Sequence, residues 1–104
     1  MYRLLLHPNI EKQLAKIPTA FATRLVQAMR ALKKDPRPEQ AKLLDQEMYR
    51  LRVGEYRIVY TVFDKEQVVF VGKVARRSEK VYRDVTQILA RARAEVGKEQ
   101  GKKT

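Results

Sequence analysis

A stretch of alternating apolar and polar residues around one glycine constrains the fold of this 104-residue chain more than any other feature. It runs from Met48 to Tyr60 and reads M-Y-R-L-R-V-G-E-Y-R-I-V-Y. Alternation with period two predicts two β-strands. Between them, Gly54 and Glu55 suit a two-residue type II′ turn, because the first turn residue needs a positive φ that glycine reaches without strain. The stretch therefore predicts a tight β-hairpin.

This hairpin has an apolar face and a cationic face, because side chains alternate along each strand. The apolar face carries Tyr49, Leu51, Val53, Tyr56, Ile58 and Tyr60. The cationic face carries Arg50, Arg52 and Arg57, with Arg52 directly opposite Arg57. Like charges placed across a hairpin destabilise it, so this face predicts an anionic ligand. The pattern alone leaves open whether the arginines catalyse a reaction or only bind phosphate.

The charge balance indicates the class of partner. The chain has 23 Lys and Arg against 12 Asp and Glu, a formal net charge of +11 and a pI of about 10.2. Such a field favours nucleic acid, a nucleoprotein, an anionic membrane surface or an acidic protein. No run approaches the roughly 20 apolar residues of a membrane span, and the absence of cysteine excludes disulfides and thiolate chemistry. We expect a soluble, cytoplasmic protein with one domain over residues 1–96 and a basic, flexible tail over residues 97–104.

The remaining patterns predict an α+β fold. A short apolar run at residues 2–7 predicts a first strand, and apolar spacing predicts helices from Pro8 to Ile17 and from Thr19 to Lys34, joined at Pro18 into a helical hairpin. Residues 39–47 fit a helical turn, an edge strand or a packed loop. The second hairpin strand continues to residue 63, and residues 68–74 form a buried third strand. A helix from Ser78 follows, so we expect an antiparallel three-stranded meander and a C-terminal helix.

Three segments of the chain, taken in order, resemble one known family. They are H-P-N-I-E-K-Q-L-A-K-I-P at His7 to Pro18, Y-R-L-R-V-G-E-Y-R-I-V-Y at Tyr49 to Tyr60, and V-V-F-V-G-K-V-A-R-R-S-E-K-V-Y at Val68 to Tyr82. Their order and spacing are similar to those of the RelE/ParE superfamily of toxins from bacterial and archaeal type II toxin–antitoxin pairs. The resemblance implies a RelE-like, microbial ribonuclease-type fold over nearly the whole chain.

Within that superfamily, RelE-type proteins are ribosome-dependent mRNA interferases, whereas ParE-type proteins inhibit DNA gyrase without those catalytic side chains. The resemblance to the RelE branch implies a catalytic set of Arg50, Arg52, Arg57, Arg76, Arg77 and Tyr82. Arg50 and Arg52 are interchangeable on the sequence, and so are Arg76 and Arg77. RNA or ribosome contacts are expected from Arg50, Arg52, Lys73, Arg76, Arg77, Lys80 and Arg83.

These residues imply metal-independent cleavage by the 2′-hydroxyl of RNA. Arginine binds phosphate oxygens bidentately and stays charged at working pH, so Arg57 with Arg76 or Arg77 suits a phosphorane. Surrounding guanidinium groups favour the phenolate of Tyr82, which the resemblance makes the general base. No metal or cofactor is expected, and the only histidine, His7, lies on a different element.

The resemblance also implies partners. We expect a cognate antitoxin and the ribosome with its mRNA, including contacts to 16S rRNA, and no membrane. The expected function is therefore a toxin that cleaves mRNA in the ribosomal A site and inhibits translation. The alternatives are a ParE-like gyrase inhibitor and a non-enzymatic ribosome- or RNA-binding module.

Overall fold

A single five-stranded sheet organises the molecule, whose computed structural model describes residues 1–45, 47–76 and 85–101. In chain order the elements are β1 (Arg3–Leu6), α1 (Ile10–Ala15), α2 (Thr19–Ala31), β2 (Lys42–Asp45), β3 (Met48–Val53), β4 (Tyr56–Phe63), β5 (Val68–Arg76) and α3 (Val85–Gly101). The strand order is β1-β5-β4-β3-β2, with β1 parallel to β5 and all other pairs antiparallel. The chain thus crosses from β1 to the far edge and returns as a meander, which confirms the predicted α+β class.

The hairpin formed by β3 and β4 has the predicted register. Val53 pairs with Tyr56, and Arg52 pairs with Arg57. Gly54 has a φ of +59°, and among the described residues other than glycine only Gln67 has a positive φ. One positive φ followed by a negative one is the pattern of a type II′ turn. The turn therefore fixes which side chains share each face of the sheet.

Helices α1 and α2 cover one face of the sheet, which we call the helix face. Leu25, Met29 and Leu32 recur at helical spacing and are almost completely buried, because they pack against the strands. Their strand partners are the apolar side chains Leu51, Tyr56, Ile58, Tyr60, Val62, Val69, Val71 and Val74. This is the main core, and it includes the apolar hairpin face that the sequence predicts.

The opposite face, which we call the arginine face, carries Arg50, Arg52 and Arg57. Its inner part is also buried, since Met48, Val59 and Ala75 form a second cluster. Helix α3 contacts β5 and buries Ala92 and Val96 completely or nearly so. Near its middle, Arg93 forms an ion pair of 3.4 Å with Glu47 beside β3. We therefore place α3 over this face of the sheet.

A β-bulge at Gly72 sets the direction of the last strand residues. Val59 pairs with Lys73, but the next residue, Tyr60, pairs with Val71, so Gly72 is the extra residue. The backbone N–H of Val74 donates a hydrogen bond of 2.8 Å to Oε1 of Gln13, which ties α1 to β5 just beyond the bulge. As a result Arg76, at the end of β5, lies opposite Tyr56, and Ala75 lies opposite Arg57.

The segment between α2 and β2 is held by a polar cluster around Arg37. Its guanidinium binds both carboxylate oxygens of Asp64, at 3.0 and 2.6 Å, and donates from Nε to the hydroxyl of Tyr49 at 2.8 Å. The hydrogen bonds from Arg37 lower the pKa of Asp64. Tyr49 stacks on Tyr60, whose hydroxyl donates to the carbonyl of Pro36 at 2.8 Å. These contacts close the helix face at the end opposite the hairpin turn.

The structure refines several predicted boundaries. Residues 39–47, which the sequence left open, contain the edge strand β2, so the meander has four strands. The α-helix α1 begins at Ile10 rather than Pro8, after a turn in which Nδ1 of His7 accepts a hydrogen bond of 3.0 Å from the N–H of Asn9. Helix α2 ends at Ala31, and α3 continues to Gly101. The predicted start of the last helix at Ser78 lies outside the described residues.

Candidate nucleic-acid site

Three of the predicted arginines meet in one cavity at the end of the sheet. The cavity has a volume of about 640 Å³ and lies where the hairpin turn meets the end of β5. It is lined by Pro18, Phe21, Arg52, Glu55, Tyr56, Arg57 and Arg76. The hairpin register places Arg52 opposite Arg57 on the arginine face, and Arg76 reaches the same cavity from its position opposite Tyr56. A cavity lined by three arginines is suited to an anion.

Arg57 is the most enclosed of these three cations. Its side chain is half-buried, and its Nε is buried without a hydrogen-bond partner among residues 1–45, 47–76 and 85–101. Buried N–H donors in proteins are nearly always paired, because an unpaired one loses its bonds to water. The other N–H groups of this guanidinium are suited to an oxygen acceptor in the cavity, such as a phosphate.

The remaining predicted basic residues of the described chain occupy other positions. Arg50 lies on the arginine face opposite Val59 but is only 9% exposed, and it does not line this cavity. Lys73 lines a neighbouring cavity of about 260 Å³ that shares Tyr56 and Arg76 with the first. The basic surface thus continues from the main cavity toward α1.

Other predicted site residues lie outside the described part of the chain. These are Arg77, Lys80, Tyr82 and Arg83. His7 is described. Its Nδ1 accepts a hydrogen bond from the N–H of Asn9 just before α1, and its ring packs edge-on against Phe70, 6.4 Å between ring centroids. Burial and then the Arg91 guanidinium lower the pKa of His7, so its ring is neutral at neutral pH. His7 does not line the cavity.

Helix α2 contributes residues to this site that the sequence did not indicate. The ring of Phe21 contacts Tyr56, with 5.9 Å between centroids and a tilt of 48°. One turn later, Nη1 of Arg24 lies 4.0 Å from the position that a Cβ on Gly54 would occupy. Glu55 lines the cavity from the hairpin turn itself. Neither the helical spacing of Phe21 nor the position of Glu55 in the turn indicates that these residues line a cavity with three arginines.

Two classes of feature do not occur in the described part of the molecule. Within residues 1–45, 47–76 and 85–101, no group of three or more His, Cys, Asp or Glu side chains is arranged to bind a metal ion. In the same residues, no helix is both long and apolar enough to cross a membrane.

Comparison with known proteins identifies the family. Residues 4–81 match the sequence model described as the ParE toxin of the type II toxin–antitoxin system parDE. A relative from Methanocaldococcus jannaschii, named as a RelE1 toxin, is 27% identical over 77 residues, which are 69% of this chain and 86% of that protein.

Solved structures of RelE toxins share the fold. RelE in the archaeal RelE–RelB complex from Pyrococcus horikoshii superimposes with a TM-score of 0.66 and 27% identity, over 75% of this chain and 97% of that chain. An arginine-to-alanine double variant of Escherichia coli RelE in the free state gives a TM-score of 0.69 and 25% identity, over 86% and 96% of the two chains. The intact E. coli RelBE complex gives a TM-score of 0.66 and 27% identity, over 76% of this chain and 100% of that chain. With its family match over residues 4–81 and this shared fold, the chain is a member of the RelE/ParE superfamily of type II toxin–antitoxin toxins.

Proposed function

We propose that this toxin is a ribosome-dependent endoribonuclease that cleaves mRNA in the A site. The observation that carries the proposal is the convergence of Arg52, Arg57 and Arg76 on one cavity at the end of the sheet. The phosphodiester of RNA has two non-bridging oxygens that accept hydrogen bonds from such donors, and arginine binds them with its charge and its planar geometry. A gyrase inhibitor that cleaves nothing has no need of this arrangement.

The chemistry assigns a role to each cation. The 2′-oxygen forms a bond to phosphorus and gives up its proton to the general base, while the bond from phosphorus to the 5′-oxygen breaks and that oxygen takes up a proton from water. Arg57 and Arg76 suit the stabilisation of the charge on the phosphorane between these steps. Arg52 lines the same cavity, which favours it over Arg50 for electrostatic support of the leaving oxygen.

The general base in this proposal is Tyr82, by the resemblance to RelE-type proteins. The phenolate that accepts the 2′-hydroxyl proton is favoured by neighbouring guanidinium charges, which lower the pKa of a phenol near them. Arginine itself is a poor proton donor, because it stays charged at any working pH. Much of the acceleration would then come from the ribosome, which holds the mRNA in a reactive geometry.

The proposal includes a cognate antitoxin as partner. The related RelE proteins of P. horikoshii and E. coli were solved in complexes with RelB. The net charge of +11 on this chain favours an acidic or partly acidic partner segment. We expect that segment to mask the basic cavity or to displace the last helix.

Primer extension on translating ribosomes tests the proposal. Wild type should produce a cut within the A-site codon, and Arg57→Ala and Tyr82→Phe should each reduce the rate by about 100-fold or more. Arg30→Ala, an exposed arginine of α2 outside the cavity, is the matched control and should cleave like wild type. Circular dichroism should show that all variants fold.

One finding keeps a second function in view. The matching family model carries the ParE name, and ParE-type toxins act on DNA gyrase. If the Arg57→Ala and Tyr82→Phe variants remain as toxic as wild type and cells show DNA damage signalling, the protein is a gyrase inhibitor and not a nuclease. A wild-type protein that binds ribosomes but cuts no message would instead indicate a binding module.

A further inference from the structure

We propose that the same cavity contains a nucleobase subsite, in which Phe21 stacks on a base and the carboxylate of Glu55 accepts hydrogen bonds from its Watson–Crick edge. This inference rests on the proposed function, since it names the part of the RNA substrate that the site selects. It makes Phe21 and Glu55 specificity-determining residues, beside arginines that hold the phosphate.

Phe21 is exposed enough to stack on a base, and a neighbouring ring packs against it. Its side chain is 38% exposed, and it is one of few large apolar residues on the described surface. A single exposed phenylalanine is ordinary in itself. This one lies in a cavity with three arginines and is backed by the buried ring of Tyr56, 5.9 Å away. Exposed aromatic rings next to cations are the common means of holding unpaired bases.

Phosphate binding alone does not explain the presence of Glu55 in the site. A carboxylate repels the anion that the three arginines attract, and the geometry of a Gly-x turn does not require glutamate in the second position. No ion pair joins Glu55 to any residue within the described ranges. Its oxygens line the cavity as acceptors, and a ligand with N–H or O–H donors can bind them.

The donors of the four bases predict an order of preference. Guanine presents N1–H and N2–H side by side, which matches the two oxygens of one carboxylate. Cytosine and adenine each present one amino group. Uracil presents a single N3–H between two carbonyl oxygens, which repel a carboxylate. We therefore expect guanine to bind best and uracil worst at the position that reaches Glu55.

Binding of 2′-O-methyl RNA trinucleotides to the free toxin tests this without cleavage, because their methylated 2′-oxygen cannot attack. Fluorescence anisotropy with guanine or uracil at each position should show at least one position where guanine binds about tenfold more tightly. Glu55→Gln should remove most of that ratio, and Glu39→Gln, another exposed glutamate outside the cavity, should retain it. Phe21→Leu should weaken all trinucleotides by about tenfold, and Phe21→Tyr should restore binding.

Cleavage on ribosomes supplies a second readout. The rates for A-site codons that differ only by guanine or uracil should show the same ratio, and Glu55→Gln should reduce it. Equal binding of all four bases, or a guanine preference that survives Glu55→Gln in both assays, would overturn the subsite. Base-selective binding without any ribosomal cleavage would instead refute the nuclease and leave the subsite standing.

Discussion

Replacing Gly54 with alanine tests the turn on which the whole site depends. Gly54 has a φ of +59°, and the nearest atom to a Cβ placed there is Nη1 of Arg24 at 4.0 Å. That is ordinary contact, so the cost of alanine comes from the backbone conformation and not from a clash. A non-glycine residue held at a sparsely populated positive φ costs about 1–3 kcal/mol. We expect Gly54→Ala to destabilise the protein by this amount.

The same substitution elsewhere in the chain should have the opposite sign. Gly97 lies within α3, it has an ordinary helical φ, and no atom lies within 4 Å of a Cβ placed there. Alanine loses less backbone freedom than glycine when a helix forms, so Gly97→Ala should stabilise the fold by about 0.4–1 kcal/mol. Two chemically identical changes thus separate conformational strain at the turn from a general effect of added methyl groups.

Urea unfolding followed by circular dichroism and tyrosine fluorescence measures both variants, since the chain has five tyrosines and no tryptophan. For a slope of about 1.5 kcal/mol/M, the midpoint should fall by roughly 0.7–2 M for Gly54→Ala and rise by roughly 0.3–0.7 M for Gly97→Ala. A midpoint for Gly54→Ala equal to or above that of wild type would refute the type II′ turn. The argument that this turn pairs Arg52 with Arg57 would then fail as well.

Three further changes test other parts of the molecule. Tyr60→Phe removes the donor to the Pro36 carbonyl at 2.8 Å and should cost about 1–2 kcal/mol, seen as a melting temperature about 4–16 °C lower. His7→Asn keeps an acceptor for the Asn9 N–H but does not titrate. Because burial lowers the pKa of His7, the unfolded chain binds more protons, and wild type should lose stability relative to this variant as pH falls below about 6.5. Arg52→Gln should reduce the slope of log affinity against log salt for single-stranded RNA by about 0.7.

Each of these predictions has a result that contradicts it. Unchanged melting of Tyr60→Phe would mean that the Pro36 carbonyl finds another donor. Parallel curves of stability against pH for wild type and His7→Asn between pH 8 and pH 5 would show that His7 has the same pKa in the folded and unfolded states. For Arg52, the control is Arg30→Gln on the exposed surface of α2, and an equal slope in the two variants would remove Arg52 from the RNA contact.

The sequence predicted the local features of this fold well. Alternation and one glycine were sufficient to fix the β3–β4 register, because the turn and the apolar face both depend on near neighbours in the chain. The near-continuous apolar run at 68–74 was correctly assigned to a buried strand, β5. The position of Arg57 on a cationic face followed from the same alternation.

Features that depend on distant contacts were not predictable in the same way. The four residues of β2 show no clear periodicity, and only pairing with β3 makes them a strand. Burial of Arg50 depends on what covers the arginine face. The Gly72 bulge, which determines where Arg76 points, depends on how β5 pairs with β4. The meeting of Phe21 with Tyr56 joins α2 to the hairpin across a gap of 35 positions in the sequence, and no local pattern encodes it.

The physical distinction between the two branches of the superfamily lies in these distant contacts and not in the fold. A gyrase inhibitor and a nuclease can share the sheet, the helices and the net charge, so similarity of fold does not separate them. What separates them is whether like charges are brought together at a cost in free energy. Here the hairpin places Arg52 opposite Arg57, and Arg76 lines the same cavity from its position opposite Tyr56. Like charges that share one cavity repel one another, and a bound anion would offset that repulsion. In the function that we propose, that anion is the scissile phosphate, and this cavity is the feature that distinguishes a nuclease from a gyrase inhibitor.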